Sequence, residues 1–360
     1  MQSRFSRRDF LKLGGISLGS MAITPLLPHL SNFDDSNMVR IATAEVPVRR
    51  EPTDESAIVR TLYRDELVHY YDLVKAKEPK HNPYWYRVWG GFIHRGRLQR
   101  VKFIYNQTVD IPEGTRRLAE VTVPFSQPFR YIKTTNSWDS LAPPIYYGSV
   151  HWVDQLTKDG PDGTSDWYRI YDELDSNVPY FVPAIHLKMV PPEMFDPISP
   201  EVPAEQKKIE VNLTTQRLTA YENGKIVFQT NVSSGIPGGG LSGEKGLSTT
   251  TPSGDFEIID KYAAKHMGNS YFNVGKRGNL LADSDGYVLP GVPWTSFFTE
   301  VGHAFHGTYW HENFGTPMSH GCVNMRTDEA NWIFRWTLPS YAPEDISNHS
   351  TRGTKVEVHY

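Results

Sequence analysis

The chain has 360 residues, 39% of them hydrophobic and 22% charged, with a formal net charge of −4 and one cysteine. That length accommodates two or three domains. The near balance of charge, with no basic block beyond the N-terminus, argues against nucleic acid as a partner.

Residues 1–30 read as a targeting segment and contribute nothing to the fold. Ser6-Arg7-Arg8-Asp9-Phe10-Leu11-Lys12 matches the twin-arginine pattern that carries folded proteins across a bacterial inner membrane. The apolar stretch from Leu13 to Leu27 is interrupted by Gly14, Gly15, Gly19 and Pro25, which makes it short and glycine-rich for a membrane span. No Ala-x-Ala cleavage site stands out, and no cysteine follows that would accept a lipid anchor. The expectation is an exported, extracytoplasmic protein of the cell envelope, touching the membrane only through this segment if it is retained.

Between residues 38 and 105 short alternating runs are separated by turn residues: Val46-Pro47-Val48-Arg49, Leu67 to Tyr71, Tyr84-Trp85-Tyr86-Arg87-Val88, then Gly90-Gly91-Phe92-Ile93-His94 and Leu98. This spacing indicates a small all-β unit. The valine-rich opening, the Trp-Tyr-Arg-Val strand and the Gly-Phe-Ile-His close together resemble a bacterial SH3-type domain. Residues 116–190 read as a second, diverged copy. Val121-Thr122-Val123-Pro124 echoes the opening, Trp167-Tyr168-Arg169-Ile170 the central strand, and Phe181 to Leu187 the close. Modules of this kind imply contact with wall glycan or peptide, or simple spacing of a catalytic unit; a fold alone does not choose.

Pro191, Pro192, Pro197, Pro200 and Pro203 predict a stiff extended linker over 191–206. Beyond it, Ile209, Val211 and Leu213 alternate as a strand. A hairpin is expected from Leu218–Tyr221 and Ile226–Phe228 around Asn223-Gly224, a pair that supplies the positive φ angles of a type I′ turn. Gly238 to Lys245 superficially suggests a phosphate loop, but Glu244 separates Gly243 from Lys245 and Gly246 follows where Ser or Thr is required. It reads as a loop.

The chemistry concentrates between His303 and Met325. The sole cysteine, Cys322, sits in Ser319-His320-Gly321-Cys322-Val323-Asn324, downstream of His306-Gly307. An unpaired thiol in an exported protein is exposed to oxidation without a partner. A catalytic thiol needs a base, something to orient that base, and backbone N–H groups for an oxyanion. The surroundings of Cys322 offer all three; a packing cysteine requires none of them. Downstream, Thr327 is placed to cap a helix with Asp328 and Glu329 in its first turn, Ala330, Ile333, Phe334 and Thr337 facing inward, and Pro339 ending it. Lys355 to Tyr360 alternates as a last strand. The fold class is therefore mostly β, with small SH3-like barrel modules ahead of a β-rich catalytic domain holding one or two short helices.

The His-Gly element, the loop and Ser-His-Gly-Cys-Val-Asn resemble the L,D-transpeptidase (YkuD-type) catalytic domain. The likeness extends to Val232-Ser233-Ser234-Gly235 and Thr251 to Phe256, covering about 207–360. The resemblance implies Cys322 as nucleophile, His306 as general base and the Gly307 carbonyl as orienter of its imidazole. Ser319, His320, Gly321 and Asn324 would shape the pocket, with N–H groups near Gly321 and Cys322 as the oxyanion hole. It implies peptidoglycan stem peptides as substrate, 3→3 cross-linking in cell-wall biogenesis, no cofactor, and carbapenems as reactive mimics. Two other readings stand beside it: a wall-binding envelope protein, and an L,D-carboxypeptidase that passes the thioester to water. A zinc site built from His303, His306, His311, His320 and Cys322 is disfavoured, because these lack the i, i+4 helical spacing of His-Glu-x-x-His.

Overall fold

The structure is a computed structural model; it describes residues 36–360 except 142, 164, 172–178, 239–240, 243–246, 269–287, 346 and 350–352. The segment read as an export signal lies outside the described residues, as does most of the glycine-rich loop from Gly238 to Lys245.

The first unit is a seven-stranded sheet in the order 58–63, 45–49, 91–94, 84–88, 67–75, 38–41, 98–101. Alternation explains its core: Val46 and Val48 of one strand and Tyr86 and Val88 of another point inward onto Val39, Ile41, Leu62 and Ile93. The second unit repeats that order with 137–140, 129–132, 180–183, 167–170, 150–157, 117–121 and 187–189. The two Trp-Tyr-Arg segments occupy equivalent central strands, and Trp85 and Trp167 are both buried. The opening echo is displaced. Val46–Arg49 corresponds in sheet position to Phe129–Ile132, whereas Val121–Pro124 follows the equivalent of Met38–Ile41. Two apolar residues flanking one polar residue are too short a pattern to define register.

From residue 207 the chain forms two five-stranded sheets. One runs 225–231, 217–222, 207–212, 355–359, 254–257; the other runs 323–325, 304–307, 288–297, 260–268, 348–349. The predicted hairpin forms at Asn223 and Gly224, with φ of 51° and 74° as a type I′ turn demands. The last strand pairs in parallel with Lys207–Asn212, so the two ends of this region close one sheet. The sheets and the helix Thr327–Trp336 share one core containing Ile209, Val211, Trp294, Phe305, Val323 and Phe334.

That helix starts one residue earlier than the capping argument places it: Arg326 is the N-cap and makes no side-chain cap bond, while Thr327 is already helical. Its far end is closed by two buried lysines from the sheets. Lys261 Nζ donates to Phe334 O and Thr337 O, both at 2.6 Å, and Lys207 Nζ donates to Trp336 O at 2.9 Å. Their N–H donors satisfy carbonyls that have no partner within the helix, while burial lowers the pKa of both lysines, that of Lys261 more strongly.

The proline-rich stretch is not a free extended spacer. Pro192–Phe195 forms a 3-10 turn whose Phe195 is buried against Trp294 and Tyr341. Asn331 Nδ2 donates to Met194 O at 3.0 Å, and Arg335 Nε donates to Asp196 O at 2.6 Å. The prolines fix local direction, but the apolar Phe195 and the unpaired carbonyls of the stretch decide that it packs. Leu118 and Val150 of the second unit join the same core, and Asn82 of the first unit donates to Glu312 O and Asn313 Oδ1. Both N-terminal units therefore lean on the C-terminal sheets.

Candidate active site

His306 and Cys322 come together through an uncommon local topology. Strands Ala304–Gly307 and Val323–Met325 pair in parallel, with Phe305 opposite Val323 and His306 opposite Asn324. Parallel neighbours need a long crossover, and the loop from Thr308 to Cys322 supplies it. Alternation then sends Phe305 and Val323 into the core while His306 and Asn324 share the other face. Cys322 precedes the second strand at the mouth of that face. Both residues line a cavity of about 290 Å³, together with Ser319, His320 and Asn324.

His306 is 2% exposed, and its Nδ1 lies 3.0 Å from the Gly307 carbonyl. A carbonyl only accepts, so Nδ1 carries the proton and Nε2 is left with a free lone pair. Burial lowers the His306 pKa to about 4, with the Gly307 bond opposing the shift. The half-buried Cys322 is pushed up to about 11 by burial, offset by a hydrogen bond from the Ala304 backbone. At neutral pH the two groups are thus an uncharged thiol, which donates to Gly302 O at 3.6 Å, and an uncharged imidazole lining the same cavity.

The cysteine loop is braced from three sides. Ser319 Oγ donates to Cys322 O and accepts from Gly321 N–H at 3.1 Å. Thr251 Oγ1 donates to Gly321 O at 2.7 Å and accepts from Gly235 N–H at 2.8 Å. Met318 N–H and Ser319 N–H both donate to Ser234 O. Gly321 has φ of 117°, and a Cβ there would stand 2.9 Å from His303 Cδ2. Both the backbone angle and the space require glycine. Because the Gly321 N–H is committed to Ser319, it is not available for an oxyanion. The Cys322 N–H makes no hydrogen bond among the described residues and is the remaining backbone donor of the predicted pair.

Residues 206–358 match the L,D-transpeptidase (YkuD) catalytic domain. No curated protein matches the chain. Similar solved structures include an Enterococcus faecium L,D-transpeptidase, at 22% identity and TM-score 0.30, covering 42% of this chain and 49% of that one. An L,D-transpeptidase from Xylanimonas cellulosilytica shares 28% identity, with TM-score 0.26 and coverage of 42% and 59%. One from Mycobacterium smegmatis shares 16% identity, with TM-score 0.32 and coverage of 59% and 90%. The match thus spans about half the length of the Enterococcus protein.

Within residues 206–358 three further histidines near the site differ in environment. His303 packs its ring beneath Gly321, with Nδ1 2.9 Å from Thr299 Oγ1. His320 is exposed at the pocket rim. His311 is 4% exposed and sits beside Asn324. Among the described residues no group of three or more His, Cys, Asp or Glu is placed to hold a metal ion.

Sequence reasoning missed one whole side of the cavity. Arg40, Ala42, Thr43 and Arg64 from the first unit and Tyr146 from the second line it together with the cysteine loop. Nothing in their local sequence marks them, because their meeting with Cys322 depends on how separate units dock. Trp310, whose ring lies 5.7 Å from that of His306, was legible as an aromatic in the His-rich stretch.

Proposed function

We propose that the chain is a cysteine-dependent L,D-transpeptidase acting on peptidoglycan stem peptides outside the cytoplasm. The observation that carries this reading is the orientation of His306: Nδ1–H held by Gly307 O, Nε2 free, in the cavity that also holds Cys322.

In the proposed reaction His306 Nε2 takes the Cys322 proton as Sγ attacks the carbonyl before the terminal D-alanine. The carbonyl electrons move to oxygen, where the Cys322 N–H receives them. The tetrahedral adduct collapses to a thioester. His306 returns the proton to the departing amine, and D-alanine leaves. An amine of a second stem peptide then attacks the thioester carbon and gives its proton to His306. Cleavage of the C–S bond restores the thiol and completes a 3→3 cross-link. Export by the twin-arginine route and contact of the two N-terminal units with wall glycan complete the proposal.

The test is intact-mass analysis of the protein incubated with a stem tetrapeptide, an amine acceptor and, separately, a carbapenem. One acyl adduct per chain on the Cys322 peptide, absent in Cys322→Ala, is expected. The rate should fall about 10²–10⁴-fold in His306→Ala. Adduct formation that persists without Cys322 would refute the reading. Release of tripeptide acid without cross-linked product would make the enzyme a carboxypeptidase. Retention of an Arg7→Lys/Arg8→Lys chain in the cytoplasm would support the export route, and its normal export would remove it.

A further inference from the structure

The cavity that holds Cys322 has lining residues from outside the 206–358 region, among them two arginines. Arg40 is 2% exposed and engaged by an acid, an amide and a ring. Its Nη1 donates to Asp65 Oδ1 at 2.7 Å, its Nε donates to Gln99 Oε1 at 3.0 Å, and its guanidinium stacks 3.9 Å from the Tyr146 ring centroid. The other Asp65 oxygen accepts from Tyr146 OH at 3.2 Å. Asp65 is therefore spent on Arg40 and Tyr146.

Arg64, half-buried in the same lining, forms no ion pair among the described residues. Its guanidinium makes one hydrogen bond among the described residues, from Nη1 to Ala42 O at 3.4 Å. A guanidinium carries five N–H donors in a planar fork and cannot shed its charge at ordinary pH. Burial is the largest influence and disfavours that charge; Tyr146 and Asp65 favour it, and Arg40, the smallest influence, opposes it. Its backbone is nevertheless held firmly. Arg64 N–H donates to Ala44 O at 3.0 Å, and the next residue, Asp65, has φ of 67° with its own N–H bonded to Ile41 O. A partly dehydrated guanidinium that lines a cavity with most of its donors unused among the described residues is suited to an anion.

We infer that Arg64 is a specificity-determining residue, which binds the C-terminal carboxylate of the peptide acyl donor in the cavity it shares with Cys322. The inference rests on the acyl-transfer reading above. The chemistry of the donor selects this carboxylate: it lies one residue beyond the attacked carbonyl, and one residue spans about 3.3–3.6 Å of extended chain. The free carboxylate of that leaving residue is the anion nearest the chemistry. The first N-terminal unit is then part of the substrate site.

The experiment compares two synthetic stem tetrapeptides, one ending in the free acid and one in the carboxamide, by kcat/KM for Cys322 acylation. The wild-type chain should prefer the free acid by about 10–100-fold, as a hydrogen bond to a charged group is worth about 1.5–3 kcal/mol. In Arg64→Gln the ratio should fall towards one, through KM more than kcat. Arg64→Lys, which keeps the charge without the fork, should lie between and serves as the comparison should the Gln variant not fold. An unchanged ratio in both variants, or equal use of both peptides by the wild type, would overturn the inference. If iodoacetamide alkylates Cys322 but neither peptide acylates the wild type, the acyl-transfer reading itself fails and the Arg64 assignment falls with it.

Discussion

The imidazole of His311 and the side-chain amide of Asn324 lie 2.8 Å apart, both buried, with Asn324 standing in register beside His306. His311 Nδ1 accepts from the Asn313 backbone N–H at 3.2 Å. A neutral imidazole has one N–H, so Nε2 must be the donor and the amide must offer its oxygen. This orientation pairs the Asn324 oxygen and places its amide nitrogen where the oxygen otherwise has no partner. His306 and His311 are therefore opposite tautomers.

The tautomers can be read by long-range ¹H–¹⁵N correlation spectra at neutral pH. His306 is expected as the Nδ1–H form and His311 as the Nε2–H form. Asn324→Ala would leave the His311 donor unpaired and cost about 1–3 kcal/mol in chemical denaturation. Asn324→Asp keeps an acceptor and should retain more stability than Ala. An Nε2–H tautomer at His306 would contradict the assignment of that residue as base.

Burial holds three histidines neutral: His186 and His306 at about 4 and His311 at about 3. Their folded pKa values lie below the ordinary 6.5, so the unfolded chain binds more protons between these limits. Stability is then complete above pH 6.5 and falls as pH drops towards 4, each histidine contributing on the order of 1–3 kcal/mol. Thermal midpoints measured from pH 7.5 to 4 should decline over that window. The acid limb of Cys322 acylation should lie near pH 4 and not near 6.5. A limb at 6.5 would mean that His306 is hydrated in the working enzyme.

Gly321→Ala should impair the enzyme out of proportion to its size. The added Cβ meets His303 Cδ2 at 2.9 Å in a backbone region that L residues avoid. The loop must shift, and the Cys322 N–H with it. Acylation is expected to slow by at least about tenfold, since one oxyanion donor is worth about 10²–10³, while the folded fraction at 25 °C stays high. Wild-type rates in this variant would show that loop geometry at Gly321 does not matter.

A chain starting at Lys207 should be less stable than the whole. It lacks Phe195, Leu118 and Val150, which sit in the transpeptidase core, and the Met194 carbonyl that receives Asn331. Each large apolar side chain lost from such a position is worth about 1.5–3 kcal/mol. It also lacks Arg64 and Tyr146 of the cavity wall. A lower thermal midpoint and slower peptide acylation are expected together. A midpoint equal to that of the full chain would mean the units merely touch.

Local chemistry was legible in the sequence by itself. The strands followed from two-residue alternation, the hairpin from Asn223-Gly224, and the grouping of Cys322 with His306 and Gly307 from the resemblance of their motif to the YkuD-type pattern. These depend on neighbours along the chain, where spacing translates directly into direction. The tertiary structure alone decided the rest. It committed Gly321 N–H to Ser319, set the His311 tautomer through Asn313 and Asn324, folded the proline stretch down through Phe195, and carried Arg64 to the cavity of Cys322. Those outcomes rest on contacts between residues far apart in the chain. Such contacts are selected by packing and by the pairing of buried polar groups, which no local pattern encodes.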